Sequence, residues 1–480
     1  MSSKPLTIVI FGATGDLFQR KLAGALFDLH QKKLLPEKTE IVGFSRKPFS
    51  HDQFHAFIQN ALAARANGKI IEPEEFVGKA LYHQGDLNSA ESYVSLGKFL
   101  AERDRASGTC SDKLFYLAVP PNLYESVFTR LSASGLAIPC APGLPDEAQA
   151  WTRVLVEKPF GNNEKEASRL DRMLGRLFEE EQIFRIDHYL AKEAMQNIIS
   201  FRFSNGLFEQ LWHKQHIERV EIKFHGKEDV STRGSFYDGV GALRDVGQNH
   251  LLQMLALIAM ENPKELKAER IRKERAKILS KVTVNKKSIV RGQYAGFREE
   301  KGVASDSATE TYFRLEAAAG NTRWRGTPFI LESGKALAEN EVSISVFFKP
   351  APCLCPGLPV RDSSEFRSGG HHHQNVLTFN LSPKEEISVL FWAKRPGFGF
   401  QLEPKRLSFS FSADGLLQDV PNAYERVLLD AIRGDQTLFA STEEVKAQWK
   451  IITPILERWH KLPLRTYPKG SASSTVEVSH

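Results

Sequence analysis

The chain has 480 residues, of which 41% are hydrophobic and 25% charged, a composition typical of a globular protein with two or three domains. Its formal net charge of +6 includes no long run of Lys or Arg, which argues against a nucleic-acid stripe and fits small anionic ligands. The most apolar run, residues 251–260, is too short to cross a bilayer, and no charged-then-apolar leader opens the chain, so we expect no membrane span and no signal peptide.

The four cysteines are too few and too irregularly spaced for a disulfide framework, as expected in a reducing cytosol, so we predict a cytoplasmic protein. Cys353 and Cys355 lie near the histidines at 371–373, but their spacing matches no standard site. We therefore predict no metal, and we interpret the segment 349–370, rich in Pro, Gly and Ser, as an inserted loop.

The first apolar run, residues 6–11, has strand length and is typical of a central strand in a parallel sheet. A glycine turn and a helical pattern follow at once, a layout in which backbone N–H groups meet a pyrophosphate. A tight turn that needs glycine only for its backbone is the alternative. The candidate cofactor contacts in this turn are Gly12, Thr14, Gly15, Asp16 and Leu17.

The second predicted strand, residues 41–44, ends in a cationic pair. An NAD site usually offers an acidic residue here for the ribose 2′-hydroxyl, whereas this chain has Arg46 and Lys47. Two cations neutralise a phosphate, so the pattern favours NADP, and tolerance of NAD as well stays open.

Two further buried strands are predicted at residues 114–119 and 154–156. The second ends in Glu157, Lys158 and Pro159. Ligands bind at the carboxyl ends of parallel strands, so Lys158 is placed for chemistry, although a simple turn after a strand is the alternative.

The densest polar stretch is RIDHYLAKE, residues 185–193. A strand is predicted over 182–186 and a helix from about Leu190, so Asp187 and His188 lie where one meets the other. His188 and Lys192 are four residues apart and are expected to share a helix face above a helix N-terminus, which would bind a phosphate. An ordinary charged helix start is the alternative. The residues at helical spacing are Leu190, Ala194, Ile198 and Phe201.

After about residue 200, apolar residues alternate with polar ones in six segments, which predicts an antiparallel sheet with one covered face. The fold prediction is therefore α/β plus α+β. Residues 1–183 would form an NADP-binding Rossmann-like domain with a doubly wound parallel sheet. Residues 184–465 would form an α+β substrate-binding and dimerisation domain with a large, mostly antiparallel sheet and helices, and residues 466–480 a disordered tail.

A second dense motif, residues 241–252, places Asp245, Val246, Asn249 and His250 on one side of a predicted helix. A histidine on an apolar helix is usually a satisfied core residue. Its polar neighbours favour a role in chemistry, because imidazole titrates near neutral pH. Lys335, in the segment 328–337, would by itself be an ordinary loop lysine.

These motifs together resemble the glucose-6-phosphate dehydrogenase family. The resemblance rests on RIDHYLAKE, on RDVxQNHLLQ around His250, on the Glu-Lys-Pro turn and on the Gly-Lys-Ala-Leu segment, and it runs from about residue 6 to about residue 460. It implies oxidation of D-glucose 6-phosphate to 6-phospho-D-glucono-1,5-lactone with hydride transfer to NADP, the first step of the oxidative pentose phosphate pathway. It also implies a homodimer or a dimer of dimers.

The resemblance further implies a role for each candidate. His250 would be the base and Asp187 would fix its tautomer, as in a hydrolase His–Asp pair. Lys158 would contact both cofactor and sugar, and Arg46 the cofactor's 2′-phosphate. The residues implied for substrate binding are His188, Tyr189 and Lys192 at the 6-phosphate, and Asp245 and Lys335 at sugar hydroxyls.

Some positions depart from the family pattern. Many relatives have a lysine where Gln19 stands, and a substrate-contacting glutamate aligns with Gly226, for which Glu228 could substitute only with a shifted loop. A basic residue is replaced by Asn340 or Glu341, and a glutamine by Ser382. These departures bear on sugar specificity.

Three alternatives therefore stay open. The chain could be an NADP-dependent dehydrogenase of another sugar or sugar phosphate. It could be an inactive NADP-binding regulator, although that would require a damaged His–Asp pair. It could also have an RNA-binding side role.

Overall fold

The computed structural model describes residues 4–66, 71–140, 150–350, 373–399, 402–410 and 420–478. The chain divides into two compact units. The first contains residues 1–191, 266–272 and 421–446, and the second contains residues 192–265, 273–420 and 447–480.

The strands in chain order are β1 Leu6–Phe11, β2 Thr39–Ser45, β3 Ala80–Gln84, β4 Asp112–Leu117, β5 Thr152–Val156, β6 Ile183–Ile186, β7 Ile217–His225, β8 Val282–Val284, β9 Val290–Tyr294, β10 Tyr312–Ala319, β11 Pro328–Gly334, β12 Glu341–Phe348, β13 Val376–Ser382, β14 Glu386–Lys394, β15 Leu402–Ser410, β16 Phe439–Ala440 and β17 Leu464–Tyr467. The α-helices are α1 Ala23–Gln31, α2 His51–Ala66, α3 Glu74–Val77, α4 Ala90–Ser107, α5 Tyr124–Ala133, α6 Glu164–Leu177, α7 Glu193–Phe203, α8 Gly206–Glu209, α9 Gly234–Tyr237, α10 Leu252–Ala259, α11 Ala268–Leu279, α12 Ala423–Arg433, α13 Thr442–Leu456 and α14 Ser473–Val478. Two π-helices, Phe18–Leu22 and Leu243–Leu251, run directly into α1 and α10.

The first unit is built on a sheet of order β16-β6-β5-β4-β1-β2-β3 within the described residues. Every neighbouring pair is parallel except β16 with β6. All six residues of β1 are buried, because the strand lies between β2 and β4 with both sheet faces covered. This confirms the predicted Rossmann-like parallel sheet.

Two later segments of the chain join this unit through buried polar contacts. Arg185 of β6 bonds Glu180 at 3.0 Å and Thr442 at 2.7 Å, and Arg272 bonds Glu180 at 2.6 Å and Gln436 at 2.5 Å. The predicted end of the Rossmann-like domain at residue 183 therefore differs from the structure. The first unit continues to residue 191 and includes residues 266–272 and 421–446.

The second unit is built on a larger sheet of order β15-β14-β13-β12-β7-β11-β10-β9-β17, with β8 paired to β10, among the residues described. It is mostly antiparallel, as predicted, with parallel pairs at β7–β11 and β9–β17. The apolar alternation is buried through β13, but on the edge strand Leu407 and Phe409 are 65% and 43% exposed. The covered face thus ends before β15.

The predicted disorder of residues 466–480 is wrong for the part that the structure describes. Residues 464–478 form β17 and α14, and Tyr467 and Val476 are fully buried. The segment is ordered because β17 pairs with β9 and its Tyr467 ring enters a cluster of tyrosines and aliphatic side chains.

Cysteine pairing also differs from expectation, since Cys110 and Cys140 form a disulfide with their Cα atoms 5.9 Å apart. Cys353, Cys355 and nearly all of the 349–370 segment lie outside the described residues. Among the residues that the structure does describe, no three His, Cys, Asp or Glu side chains are grouped to hold a metal ion. No helix in that part of the chain has the length and apolar character needed to cross a membrane.

Candidate active site

The glycine turn after β1 has the backbone conformation that only glycine adopts easily. Gly12 has a φ of +82°, and a Cβ on it would lie 2.4 Å from the carbonyl oxygen of Ala118. The Gly12 N–H donates to the Phe44 carbonyl of β2, and the Gly15 N–H donates to the Gly12 carbonyl, both at 2.9 Å. The chain then enters the first π-helix after Leu17, so the backbone N–H groups of a helix start lie beside the carboxyl end of the sheet.

The side chains of this turn connect it to the next strand. The hydroxyls of Thr14 and Ser45 share a 2.7 Å hydrogen bond across β1 and β2. Asp16 forms an exposed ion pair with Arg20 at 2.6 Å. The glycine turn and the end of β2 therefore form one continuous surface.

The predicted cationic pair, Arg46 and Lys47, follows β2, and side chains of the neighbouring strand β3 hydrogen-bond its backbone carbonyls. The Tyr82 hydroxyl shares its one proton between the carbonyls of Lys47 at 2.5 Å and Ser45 at 3.1 Å, and the Gln84 amide donates to the Arg46 carbonyl at 3.3 Å. Both cationic side chains are exposed. A fixed backbone that presents two exposed cations beside a glycine turn suits a phosphate group.

Lys158 follows β5 and precedes a cis peptide bond to Pro159. The preceding Glu157, which sequence reasoning did not single out, accepts a hydrogen bond from the Tyr116 hydroxyl at 2.5 Å, and its carbonyl accepts one from Tyr124 at 2.7 Å. Burial raises the pKa of Glu157; the Tyr116 hydrogen bond and the Lys158 charge oppose this shift, and the Asp187 charge adds to it. Lys158 and Asp187 are thus close enough to influence one carboxyl group at the ends of neighbouring strands.

Asp187 follows β6 and is buried, 4% exposed. One carboxylate oxygen accepts the Tyr189 N–H and its carbonyl accepts the Leu190 N–H, both at 3.0 Å, which makes a tight turn. The His188 ring lies 4.8 Å from the Tyr189 ring and stacks on Tyr424 at 6.2 Å. A carboxylate, an imidazole and a phenol therefore meet at the carboxyl end of the parallel sheet.

The prediction that His188 and Lys192 share a helix face is wrong, because α7 begins only at Glu193 and Lys192 precedes it in an extended conformation. The Glu385 carboxylate accepts the Ala194 N–H at 2.8 Å, and the Lys192 ammonium donates to the Leu381 carbonyl at 2.7 Å. Burial lowers the pKa of Lys192, and the charge of Glu385 opposes that shift. Glu385, for which the sequence carries no local signal, thus occupies part of the helix start assigned to phosphate and helps fix Lys192.

The histidine motif lies on the second π-helix rather than on an ordinary α-helix. A π-helix bonds residue i to i+5, so Asp245 and His250 are one turn apart, and such turns are frequent at functional sites. The Asn249 amide donates to the Asp245 carbonyl at 3.0 Å and its oxygen accepts the His250 N–H at 2.6 Å. His250 is 1% exposed, with its ring parallel to Phe224 of β7 at 5.9 Å.

Lys335 follows β11 in a turn that β7 supports. Its N–H donates to the Thr311 carbonyl at 2.9 Å, and the Gly226 N–H donates to the Gly334 carbonyl at 2.9 Å. Because Gly226 lies two residues after Phe224, the His250 ring and the Lys335 turn meet the same end of β7.

Several positions that depart from the family pattern make structural contacts of their own. The Asn340 side chain accepts the Lys227 N–H at 2.8 Å, and the Ala336 N–H donates to the Glu228 carbonyl at 3.0 Å. A Cβ on Gly226 would lie 3.8 Å from both the Gly334 carbonyl oxygen and Lys335 Cδ, which are ordinary van der Waals contacts, so a side chain could begin there beside Lys335 without displacing either atom. Ser382 precedes a second cis proline.

Comparisons with known proteins cover nearly the whole chain. The family model for the NAD-binding domain of glucose-6-phosphate dehydrogenase matches residues 9–197, and that for its C-terminal domain matches residues 199–478. The glucose-6-phosphate 1-dehydrogenase of Chlamydia muridarum is 37% identical over 95% of this chain and 91% of its own length.

Two further matches agree with these. An Arabidopsis thaliana protein named glucose-6-phosphate 1-dehydrogenase 5, cytoplasmic, is 37% identical over 98% of this chain and 89% of its own length. A solved glucose-6-phosphate dehydrogenase in complex with its substrate glucose-6-phosphate superposes with a TM-score of 0.86 at 31% identity, covering 98% of this chain and 96% of that one. The chain therefore belongs to the glucose-6-phosphate dehydrogenase family of oxidoreductases.

Proposed function

We propose that this chain is a glucose-6-phosphate 1-dehydrogenase that uses NADP. It oxidises the carbon-one hydroxyl of D-glucose 6-phosphate to the 6-phospho-1,5-lactone. The observation that carries the proposal is the likeness over both units, at a TM-score of 0.86, to a dehydrogenase solved with this substrate. NADP, when bound, supplies the acceptor for the hydride that leaves carbon one.

His250 is the general base and takes the proton of the carbon-one hydroxyl. Its nearly complete burial and the Asn249 side chain that accepts its backbone N–H support this role, because a base acts best when its geometry is fixed. Asp187 is assigned the role that the carboxylate has in a His–Asp pair, which is to select the tautomer of this imidazole and to stabilise the imidazolium that forms. Lys158 orients the reacting end of the sugar and the nicotinamide.

The 6-phosphate is bound by His188, Tyr189 and Lys192, while Asp245 and Lys335 hold sugar hydroxyls. Phosphate contacts far from carbon one contribute binding energy that positions the reacting carbon. Because the Glu385 carboxylate already accepts the Ala194 N–H at the start of α7, the proposal assigns the phosphate contact on this side to the Lys192 ammonium and not to that N–H group.

The cofactor preference follows from the end of β2. Arg46 and Lys47 bind the 2′-phosphate of NADP, and Gly12, Thr14, Gly15, Asp16 and Leu17 line the pyrophosphate. The absence of a carboxylate at the end of β2 supports NADP over NAD, which lacks that phosphate. Some use of NAD remains compatible with the same glycine turn.

We further propose that the chain works as a homodimer, or as a dimer of dimers, in the cytoplasm. The exposed Leu407 and Phe409 on the edge strand of the large sheet support a second copy as the covering partner. The name of the Arabidopsis relative supports the location. The Cys110–Cys140 disulfide argues the other way, since disulfides are rare in a reducing cytosol.

A dehydrogenase of another sugar phosphate is the second candidate. The observation that favours it is that Gly226, beside Lys335, has no side chain where the family pattern has a substrate-contacting glutamate, while the Asn340 side chain is engaged by the backbone of Lys227. Without these two family contacts, discrimination between sugar phosphates that differ at a hydroxyl is expected to be weaker.

The test is NADPH formation, followed by absorbance, with glucose 6-phosphate, glucose and other hexose phosphates, for the wild type and His250→Asn. Activity that needs the phosphate and collapses in His250→Asn is the expected result. A higher kcat/KM for another hexose phosphate would select the second candidate. NADP binding without activity on any sugar would overturn the proposal.

A further inference from the structure

The π-helix that carries Asp245 and His250 begins at the buried carboxylate of Glu310, which lies two residues before β10. The first N–H groups of a helix have no partner inside it. Here the Leu243 N–H donates to a carboxylate oxygen of Glu310 at 3.0 Å, and the Ala242 N–H donates to the Glu310 carbonyl at 3.1 Å. The turn before the helix is held by the same segment, because the Gly239 N–H donates to the Thr309 hydroxyl at 2.8 Å.

Each oxygen of this carboxylate has its own donor. The second oxygen of Glu310 accepts the Trp459 indole N–H at 2.7 Å, and the two side chains belong to residues that are 2% and 6% exposed. Gly241, with a φ of +73°, allows the carboxylate to approach, since a Cβ there would lie 2.4 Å from it. The orientation of Glu310 is therefore fixed from two sides.

The same carboxylate lies in the electrostatic surroundings of the site. Burial, followed by the charges of Asp245 and Glu310, raises the pKa of the Tyr237 hydroxyl well above its usual value. A negative charge at the start of a helix also interacts favourably with the helix dipole. Glu310 is thus both a mechanical and an electrostatic neighbour of the helix that presents the base.

We propose that Glu310, held by Trp459, is a positioning residue that sets the orientation of the Asp245–His250 helix. This rests on the proposed function, in which His250 is the base. Glu310 touches neither sugar nor cofactor in this proposal. It fixes the first turn of the helix, and the continuous π-helix from Leu243 to Leu251 carries that orientation to His250.

The main test is Glu310→Gln, with kcat expressed per NADP-binding site so that unfolded protein does not count. Leu243 and Trp459 donate to different oxygens of Glu310, and glutamine replaces one of these oxygens by an NH2 donor, which then faces another donor. We expect kcat to fall about tenfold to a hundredfold, as for small misplacements of catalytic groups, while the KM for NADP stays near the wild-type value. Trp459→Phe frees one oxygen only and should give a smaller fall.

Glu261→Gln is the matched control, because Glu261 bonds Asn321 and Arg323 at 2.9 Å beyond the other end of the same helical stretch. It should lower the melting temperature without changing kcat per site. A Glu310→Gln enzyme with wild-type kcat per site would overturn the proposal. If that variant does not fold, an unchanged kcat in Trp459→Phe would do so.

A substrate-free measurement separates this proposal from the proposed function. The ring signals of His250 in ¹³C-histidine-labelled protein, assigned by their loss in His250→Asn, should shift in Glu310→Gln or Trp459→Phe and not in Glu261→Gln. If the His250 ring signals keep their wild-type chemical shifts in both Glu310→Gln and Trp459→Phe, the proposed role of Glu310 is overturned. A wild type inactive on glucose 6-phosphate would contradict the proposed function and leave this comparison intact.

Discussion

The Tyr467 hydroxyl donates a 2.8 Å hydrogen bond to the carbonyl of Lys335, 132 residues earlier in the chain. Because a phenol has one proton to give, the 2.8 Å contact between the same hydroxyl and Thr311 is donated by Thr311. The Gly470 N–H also bonds the Ala336 carbonyl at 2.8 Å. The C-terminal segment thus fixes the turn that presents Lys335.

Tyr467→Phe is expected to raise the KM for glucose 6-phosphate about fivefold with little change in kcat, because one buried hydrogen bond contributes about 1 kcal/mol to holding the Lys335 turn. Steady-state kinetics measure this. Tyr93→Phe, which removes a buried 3.2 Å hydrogen bond to Leu87, is the control and should lower stability alone. An unchanged KM in Tyr467→Phe would show that the tail supports the fold without affecting Lys335.

Gly12→Ala is expected to abolish most NADP binding. A φ of +82° costs a non-glycine residue about 1–3 kcal/mol, and the added carbon would lie 2.4 Å from a backbone oxygen. Titration of NADP by protein fluorescence measures the loss. Gly175→Ala in α6, where an added Cβ meets nothing within 4 Å, should leave NADP affinity unchanged and raise helix stability by about 1 kcal/mol. Equal affinities of the two variants would contradict the role of the turn.

The sequence predicted those helices and strands whose pattern of apolar and capping residues is contained within a short stretch of the chain. The apolar runs of β1 and most of β4 could be read directly, because a strand covered on both faces is mostly apolar. The first two residues of β4, Asp112 and Lys113, lay outside the predicted run 114–119 because they are polar although buried. The end of such a strand is also where ligands bind, so Lys158 and Asp187 could be located without a structure. Ser441 and Glu444 form a capping box at the start of α13, a spacing that is visible in the sequence, with both backbone-to-side-chain bonds formed.

Features that depend on contacts between distant segments could not be predicted. Helix α7 begins at Glu193 and not near Leu190 as predicted. The Ala194 N–H at this helix start donates to the carboxylate of Glu385, which lies 191 residues later in the chain. The tail became ordered because Tyr467 reaches Thr311, 156 residues earlier. No hydrophobic period records a side-chain hydrogen bond between such segments, and Glu310 was missed for the same reason.

Arg46→Ala is expected to raise the KM for NADP about tenfold to a hundredfold and to leave the KM for NAD unchanged, because a hydrogen bond to a charged group contributes about 1.5–3 kcal/mol. Initial rates with each cofactor measure the ratio. Lys98→Ala in α4 removes an exposed cation elsewhere in the same unit and should change neither value. Equal effects of Arg46→Ala on both cofactors would place the 2′-phosphate elsewhere.

Leu407→Lys is expected to convert a dimer to monomers. Leu407 lies opposite Val389 on the edge pair β14–β15 and is 65% exposed, so a charge there would be buried by a second copy. Light scattering after size exclusion measures the mass. Leu207→Lys, at a residue 72% exposed in α8, is the control and should keep the wild-type mass. A monomeric wild type, or a dimeric Leu407→Lys, would contradict the assembly proposal.

Asp430 is expected to make the first unit less stable as pH rises between about 4 and about 6. Burial in α12 raises its pKa from 3.8 to about 6, although the charge of Arg426 opposes the shift. The folded form therefore binds the proton more tightly than the unfolded form. The stability this provides is complete below pH 3.8 and is lost as pH rises through the folded pKa of about 6.

Asp430→Asn keeps an acceptor for the 2.9 Å bond from Arg426 but cannot titrate. The wild-type free energy of unfolding, measured relative to the variant, should therefore fall by an amount on the order of 3 kcal/mol between about pH 4 and pH 6. Urea denaturation of both proteins across this range measures the difference. A difference that stays flat, or that rises with pH, would mean that Asp430 is already ionised in the folded protein and that the Arg426 ion pair outweighs the cost of burial.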